Sequence, residues 1–466
     1  MQLRGKKVVV MGLGVHGGGL GVARYCAEQG ADVVVTDLRT ADVLGDSLAA
    51  LADLPITFVL GEHREQDFAT SDIVVQNPAV PASSPFVRIA RAAGAAIEME
   101  MTLFFRACPA PIIGVTGSKG KTTTATLTAH LLKAWRADTI LAGNMRISAL
   151  AQLPLIGPDT PVILELSSFV LEGLGAAGLS PAIAAITNIY PDHLDRYGTM
   201  EAYIAAKAEI GRHQQDQNTI VLTDTDEALV RLAPAMPGQL VWTGVRAPRV
   251  PTQGSVWWDT DVLYAALQEA TVAIAQRTDV QLAGTHNLAN IATAVALALR
   301  AGMPHTAIAP ALRAFTGVEH RQELVATHDG HTFVNDTAAT MPDAAVAALT
   351  SLPQPIIWIA GGADKKLSFE SLAATAATHA QQIVLLQGTA TALLHDALVR
   401  HGAGGRIIGT FDSFEAGIRA AHALPLRPAT IALSPGCASF GMFRNEFHRG
   451  EEFRRIVTQI IAEAGQ

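Results

Sequence analysis

Cysteine is scarce. Cys26, Cys108 and Cys437 are the only three, far apart and without CxxC or Cys/His spacing, which argues against a disulfide framework or a zinc site and fits a reducing compartment. Positive charge is also in short supply: 34 Lys plus Arg face 42 Asp plus Glu, a formal net charge of -8. Such a surface repels phosphate backbones and acidic membranes, so neither nucleic acid nor a membrane is an expected partner. No uninterrupted apolar run reaches about 18 residues, and the first residues enter a strand pattern with no apolar leader region. The expectation is a cytoplasmic protein, working as a monomer on small molecules. Fixed-period repeats and low-complexity tracts are absent as well.

What is present is alternation. Short Val- and Ile-rich runs such as Lys7 to Met11, Val33 to Thr36, Ile112 to Val115, Val162 to Leu166 and Ile183 to Ile189 read as strands buried on both faces. Ala- and Leu-rich helical stretches such as Thr122 to Trp135 and Asn287 to Arg300 lie between them. This is the pattern of parallel sheets with crossover helices. It continues through Thr332 to Val334, Ile356 to Ala360, Ile383 to Leu386 and Ile431 to Leu433. At roughly 100 to 200 residues per domain the chain holds about three α/β domains, with boundaries expected at 1–98, 99–317 and 318–466. The stretch Val241 to Tyr264, with Pro248, Pro251 and Gly254, breaks the helical rhythm and reads as an antiparallel insert. Its Trp257-Trp258 pair has no basic cluster beside it and reads as packing rather than a base-stacking platform.

Two glycine-rich turns carry phosphate chemistry. Thr116-Gly117-Ser118-Lys119-Gly120-Lys121-Thr122-Thr123 lies between a predicted strand and a predicted helix. There, glycines let backbone N–H groups approach phosphates, Lys121 reaches the outer phosphates and Thr122 can ligate magnesium. Val115 stands where the strict pattern has its first glycine, and an ordinary glycine turn is the bland alternative. Nearer the N-terminus, Gly12-Leu-Gly14-Val15-His16-Gly17 follows a strand, and Asp37 comes about twenty residues later, matching the dinucleotide fingerprint. A nicotinamide dehydrogenase and a UDP-sugar site both satisfy that motif, and so does a vestigial fold.

Two further loops gather charge at strand ends, where open α/β sheets bind ligands. Glu165, in Leu164-Glu165-Leu166-Ser167-Ser168-Phe169, ends a buried strand; a magnesium ion shared with ATP phosphates is its natural partner, and a salt-bridged or capping carboxylate is the alternative. Thr187-Asn188-Ile189-Tyr190-Pro191-Asp192-His193-Leu194-Asp195-Arg196 brings acid, imidazole and guanidinium into one loop. By composition alone Lys207, in Ala205-Ala206-Lys207-Ala208, is a solvated helix residue.

Taken together with Gly284-Thr285-His286-Asn287, His320-Arg321, Asn335-Asp336 and Leu433-Ser434-Pro435-Gly436-Cys437-Ala438-Ser439, these motifs resemble the Mur ligases, in the right order over nearly the whole chain. The N-terminal glycine turn and the C-terminal Ser-Pro-x-Cys-Ala-Ser look most like the glutamate-adding branch. The resemblance implies a Rossmann-like first domain, a central P-loop NTPase-like parallel sheet and a Rossmann-like third domain. It also implies an ATP- and Mg2+-dependent ligase of peptidoglycan precursor synthesis, acting through an acyl phosphate, with UDP-N-acetylmuramoyl-L-alanine and glutamate as substrates. On that pattern Val15, His16, Asp37, Asn77 and Asn144 hold the UDP substrate. ATP falls to Gly117, Ser118, Lys119, Gly120, Lys121, Thr122, Thr123, Asn287, Asn290, Arg321 and Asp336. Metal falls to Thr122, Glu165, His193 and Lys207, the last as a carbamylated lysine. Lys121, His193, Lys207 and Arg321 are the expected catalytic set, and Thr340, Lys365 and Ser439 hold the incoming glutamate. The chain departs from the family where Ala338 replaces a lysine expected to contact glutamate, at Gly143-Asn144-Met145-Arg146, and at Asn445-Glu446-Phe447. These departures leave open the amino acid accepted, D- or L-glutamate or that of a sibling ligase. A nucleotide-binding switch would keep the loop but have no use for Glu165, Lys207 or Lys365.

Overall fold

A computed structural model of the chain describes residues 1–14, 17–78, 80–81, 83–143, 148–248, 252–267, 270–282 and 284–464. Val15, His16 and Asn144 lie outside the described residues. The chain forms two compact units, residues 1–280 with 285–315, and residues 281–284 with 316–466.

The first unit carries two sheets. β1 (Lys7–Met11), β2 (Asp32–Asp37), β3 (Ile56–Leu60), β4 (Ile73–Gln76) and β5 (Ala96–Glu98) form an all-parallel sheet in the order β3-β2-β1-β4-β5. Val8, Val9 and Val10 of β1 are buried because helices cover both faces, which is why the strand reads as a continuous apolar run. The second sheet has nine strands, β14-β13-β12-β11-β10-β9-β6-β8-β7. Their ranges are β6 (Ile112–Thr116), β7 (Ile140–Gly143), β8 (Val162–Glu165), β9 (Ile183–Ile186), β10 (Thr219–Thr223), β11 (Gln239–Gly244), β12 (Val256–Asp259), β13 (Val262–Leu267) and β14 (Ala270–Gln276).

The insert expected at Val241 to Tyr264 is antiparallel only in part. β11 pairs parallel with both β10 and β12, and the direction reverses at the turn into β13 and again into β14. Trp258 is buried and donates its indole N–H to Leu288 O at 2.9 Å, and Trp257 stacks on Tyr264, so both rings pack as expected.

The second unit is built on β15 (Glu323–His328), β16 (His331–Asn335), β17 (Ile356–Gly361), β18 (Ala380–Leu386), β19 (Ile407–Phe411) and β20 (Ala429–Leu433), in the order β15-β16-β20-β17-β18-β19. Only β15 runs antiparallel. Trp358 fills the centre of this sheet, fully buried, with its indole N–H donated to Ser434 O at 2.7 Å. Both units are therefore α/β, as the alternation of runs predicts. Among the described residues no helix is long and apolar enough to cross a membrane.

Within the first unit the two sheets are joined through small residues. The helix Gly18–Glu28, which follows β1, packs on the short helix Ala149–Gln152. Gly21 lies so close to Ser148 that a Cβ there would run into the Ser148 hydroxyl. Gly21→Ala is therefore expected to destabilise the first unit by about 1–3 kcal/mol, the usual range for overpacking. Its thermal midpoint, compared with that of an Ala substitution at the exposed Gly45, checks this.

Candidate functional site

β6 ends at Thr116 and the chain turns through 117–120 into the helix Lys121–Trp135. The turn needs its glycines. Gly117 and Gly120 have φ of 149° and 80°, and side chains there would collide with Thr187 Oγ1 and Asn290 Oδ1 respectively. The neighbouring strand end straps the loop down: Thr187 Oγ1 donates to Lys119 O at 2.6 Å, Asn188 Nδ2 donates to the same carbonyl at 3.0 Å, and Lys119 N donates to Asn188 Oδ1 at 2.8 Å. Ser118 Oγ donates to Tyr190 O and accepts from Tyr190 N, and lies 3.1 Å from the Tyr203 hydroxyl. Thr187-Asn188 is thus a brace for the loop, which explains why β9 stops at Ile186 and does not run on to Ile189.

Two ammonium groups meet on one carbonyl. Lys121 Nζ donates to Gly117 O at 2.9 Å and to Ser118 O at 3.1 Å, and Lys207 Nζ donates to Gly117 O at 2.9 Å. Lys207 is 1% exposed, on the inward face of the helix Met200–Arg212 and over the Tyr203 ring at 4.6 Å. The composition-based reading of a solvated lysine is therefore wrong, because Tyr203, Ala206 and Ala208 carry that face into the core. Burial pushes the Lys207 ammonium down to about 7, and the Lys121 charge adds to the fall.

Around this pair stand the other predicted groups of the first unit. Glu165 closes β8 at 3% exposure, in register with Val115 of β6 and Gly143 of β7. Thr122 and Thr123 sit in the first turn of the loop helix. His193 has a φ of 52°, and its half-exposed ring packs on Phe169 and Tyr203 with Nε2 3.9 Å from Asp192 Oδ1. Asn290 is buried and donates to Asn287 Oδ1 at 3.0 Å, so these two asparagines form one polar face against Gly120. Among the described residues no three His, Cys, Asp or Glu side chains are gathered as a metal site. The donors at hand are hydroxyl, carboxylate and imidazole, a mostly hard set.

At the other glycine turn, Asp37 is buried and committed to the backbone. Its Oδ2 accepts from Gly14 N at 3.0 Å and its Oδ1 from Arg39 N at 2.9 Å, so it shapes the turn. Asn77 follows β4 and its Cβ lies against Gly12.

The second unit gathers its own polar groups at the C-terminal ends of β16 and β20. Thr340 Oγ1 accepts from Lys365 Nζ at 2.9 Å. Ser439 is 3% exposed and its hydroxyl has no hydrogen-bond partner among the described residues. A buried hydroxyl left unpaired in a native fold calls for an explanation, and a bound polar ligand is a direct one. Asp336 accepts from Ser434 Oγ at 2.7 Å and from Gln322 N at 3.1 Å, and burial pushes its carboxyl up to about 7 against the pull of Arg321. Arg321 itself is exposed. Cys437 is buried, with its thiol pushed up to about 12, which makes it inert.

Two groups escaped the sequence reading. Arg449 is fully buried, donating Nε to Thr337 Oγ1 at 2.9 Å and Nη2 to Thr337 O at 3.0 Å, and burial pushes its guanidinium down to about 10. Glu100 is a half-buried carboxylate beside the first glycine turn. Neither stands in a motif; the only available signal was an acid or guanidinium placed where a helix face is otherwise apolar.

The comparisons with known proteins follow the same order along the chain. Family models described as the Mur ligase MurD-like N-terminal domain, the Mur ligase middle domain and the Mur ligase glutamate ligase domain match residues 6–98, 115–298 and 320–437. A Roseiflexus sp. protein named UDP-N-acetylmuramoylalanine–D-glutamate ligase is 55% identical over 463 residues, covering 98% of this chain and 99% of that one. A Symbiobacterium thermophilum protein of the same name is 36% identical, with 97% and 98% covered. In fold the chain is similar to the crystal structure of UDP-N-acetylmuramate–alanine ligase from Thermotoga maritima, at a TM-score of 0.60 and 21% identity, covering 97% and 99%.

The burial of Lys207 has a measurable consequence. Its folded value lies below that of a free lysine, so the unfolded chain binds the extra proton between about 7 and 10.5, and stability rises with pH across that window. Lys207→Met is expected to raise the thermal midpoint at pH 6 to 7, by about 2–4 °C for each kcal/mol relieved. The gain should shrink toward zero by pH 10.5; melting curves of both proteins across that range check it.

Proposed function

The chain belongs to the Mur ligase family, and on that premise we propose that it joins D-glutamate to UDP-N-acetylmuramoyl-L-alanine with cleavage of ATP to ADP and phosphate. The reading rests above all on end-to-end 55% identity to a ligase of that name, supported by the loop on which Lys121 and Lys207 converge beside Glu165.

A carboxylate is a poor acyl donor. In the first step an oxygen of the alanine carboxylate attacks the γ-phosphorus of ATP, the bond to ADP breaks, and an acyl phosphate forms. In the second the amine of glutamate attacks the acyl carbon, the bond to phosphate breaks, and the amine proton passes to a base. Both steps gather negative charge on oxygen, which fixed cations and loop amides stabilise without reorganising. Lys121, which donates to the Gly117 and Ser118 carbonyls, is the cation proposed to meet the outer phosphates. Lys207 stays buried and holds the Gly117 carbonyl away from them. Thr122 and Glu165 are the residues that would hold magnesium, which when bound screens the phosphate charge. His193, half-exposed beside Asp192, is the proposed base for the amine.

The glutamate pocket is assigned to Thr340, Lys365 and Ser439 of the second unit. Lys365 supplies the cation that a family lysine, replaced here by Ala338, does not, and the unpaired Ser439 hydroxyl supplies a donor. We read the functional domains as 1–98 for the UDP substrate, 99–317 for ATP and 318–466 for the amino acid.

Purified protein incubated with ATP, magnesium, UDP-N-acetylmuramoyl-L-alanine and either glutamate enantiomer should release phosphate with D-glutamate and not with L-glutamate. Release with L-glutamate alone, or with another amino acid, would reject the assignment. Lys121→Ala should lower kcat by about 10²–10³, the size of losing one fixed charge-stabilising donor. Ser439→Ala should raise the KM for glutamate and leave the KM for ATP unchanged; parallel saturation curves separate the two.

A further inference from the structure

Between β1 and β4 the first sheet reverses its strand order, and the crevice beyond a reversal is where open α/β sheets take a nucleotide. A pocket opens there, lined by Gly12, Gly18, Gly19, Gln76, Asn77 and Glu100 among others. Its floor is the N-terminus of the eleven-residue helix Gly18–Glu28, the end that favours anions. Gln76, which lines it, is buried with its Oε1 lacking a hydrogen-bond partner among the described residues. A site with a helix N-terminus and an unpaired amide oxygen is built for a polar ligand.

The same pocket holds an acid. Glu100 Oε1 accepts from Ser148 Oγ at 2.6 Å and from Ala149 N at 3.0 Å, while Oε2 faces the helix start, where a Cβ on Gly18 would stand 3.1 Å away. Glu100 thus lies where the glycine turn would place a diphosphate. No charged side chain among the described residues offsets it. Arg24 on the facing helix is paired with Asp53 and Glu28, Arg106 on its own helix with Glu98, and Asp37 is bound to backbone N–H groups. Lys7 of β1 bonds Thr70, Glu172 on the helix Ser168–Ala176 is paired with Arg196, whose other amine reaches Pro78 O, and neither β4 nor the helix Ala149–Gln152 carries a titratable residue. Burial already moves the Glu100 carboxyl up from its ordinary value, with hydrogen bonds from Ser148, Ala149 and Leu150 acting against it.

We propose that Glu100 makes binding of the diphosphate-linked substrate proton-coupled: the ligand enters this crevice as its dianion, and Glu100 takes one proton from the buffer as it does so. This inference rests on the substrate read above. The protonated acid no longer repels the phosphates, and its O–H becomes a donor to a phosphate oxygen. The diphosphate of a UDP-sugar is esterified at both ends and does not itself titrate near neutrality, so the proton is assignable to the protein.

Isothermal titration of the full chain with UDP-N-acetylmuramoyl-L-alanine, in two buffers of different ionisation enthalpy from pH 6.5 to 8.5, counts the protons. About one should be taken up, with Kd rising about tenfold per pH unit above the carboxyl's own titration. In Glu100→Gln the uptake should vanish and Kd become flat with pH, at least about tenfold tighter than the parent at pH 8.5. Binding without uptake in the parent overturns this proposal alone. Uptake that persists in Glu100→Gln overturns it too, and points to a histidine such as His16. No binding at any pH overturns the substrate reading as well. The two-buffer count on the parent needs no variant, so a poorly folded Glu100→Gln does not blunt the test.

Discussion

The carbonyl of Gly117 is the point on which the first unit's chemistry turns. Two ammonium groups, Lys121 and Lys207, donate to it from opposite helices. Like charges so close together are tolerable only where one of them readily loses its proton, and burial of Lys207 brings that about. The rest of the neighbourhood keeps this carbonyl in place. Positive φ at Gly117 and Gly120 sets the turn, Thr187 and Asn188 strap it from β9, and Ser118 and Tyr203 close its flank. Loosening any of these would let the lysines part.

The second unit shows the same economy in a different form. Its polar groups converge at strand ends, and two buried ones lie on neutral dipoles: Arg449 on the Thr337 hydroxyl and carbonyl, and Asp336 on Ser434 and Gln322 N. Glu446 and Arg321 are the opposite charges that act on them. Such an arrangement costs stability compared with an apolar core.

The sheets were legible from the chain because strands buried on both faces must be apolar throughout, and runs such as Val33 to Thr36 and Ile356 to Ala360 have no other comfortable conformation in water. The phosphate loop was legible because only glycine can occupy two of its positions. What could not be read was which side of a helix faces inward. Lys207 sits among alanines, which suit a surface as well as a core, so nothing local marked it as buried. Glu100 begins a helix, where acids are ordinary, and its place beside the first glycine turn follows from the packing of three separate helices. Asp37 was found as a fingerprint acid, but its bonds to Gly14 N and Arg39 N belong to the turn's own geometry. The three-strand hairpin at the edge of the second sheet was only half visible, since β11 reads like any parallel strand until its partner is known.

The loop also says something about how far this sequence can drift. Lys119 contributes its backbone to the Asn188 brace, while its side chain is 72% exposed and comes only within 4.0 Å of Asp192. Natural variation at that position should be nearly unrestricted. Two and one residues away on either side, even a single methyl group has nowhere to go. Descendants of this gene would therefore keep two codons frozen on either side of one that wanders, a pattern written by steric volume alone.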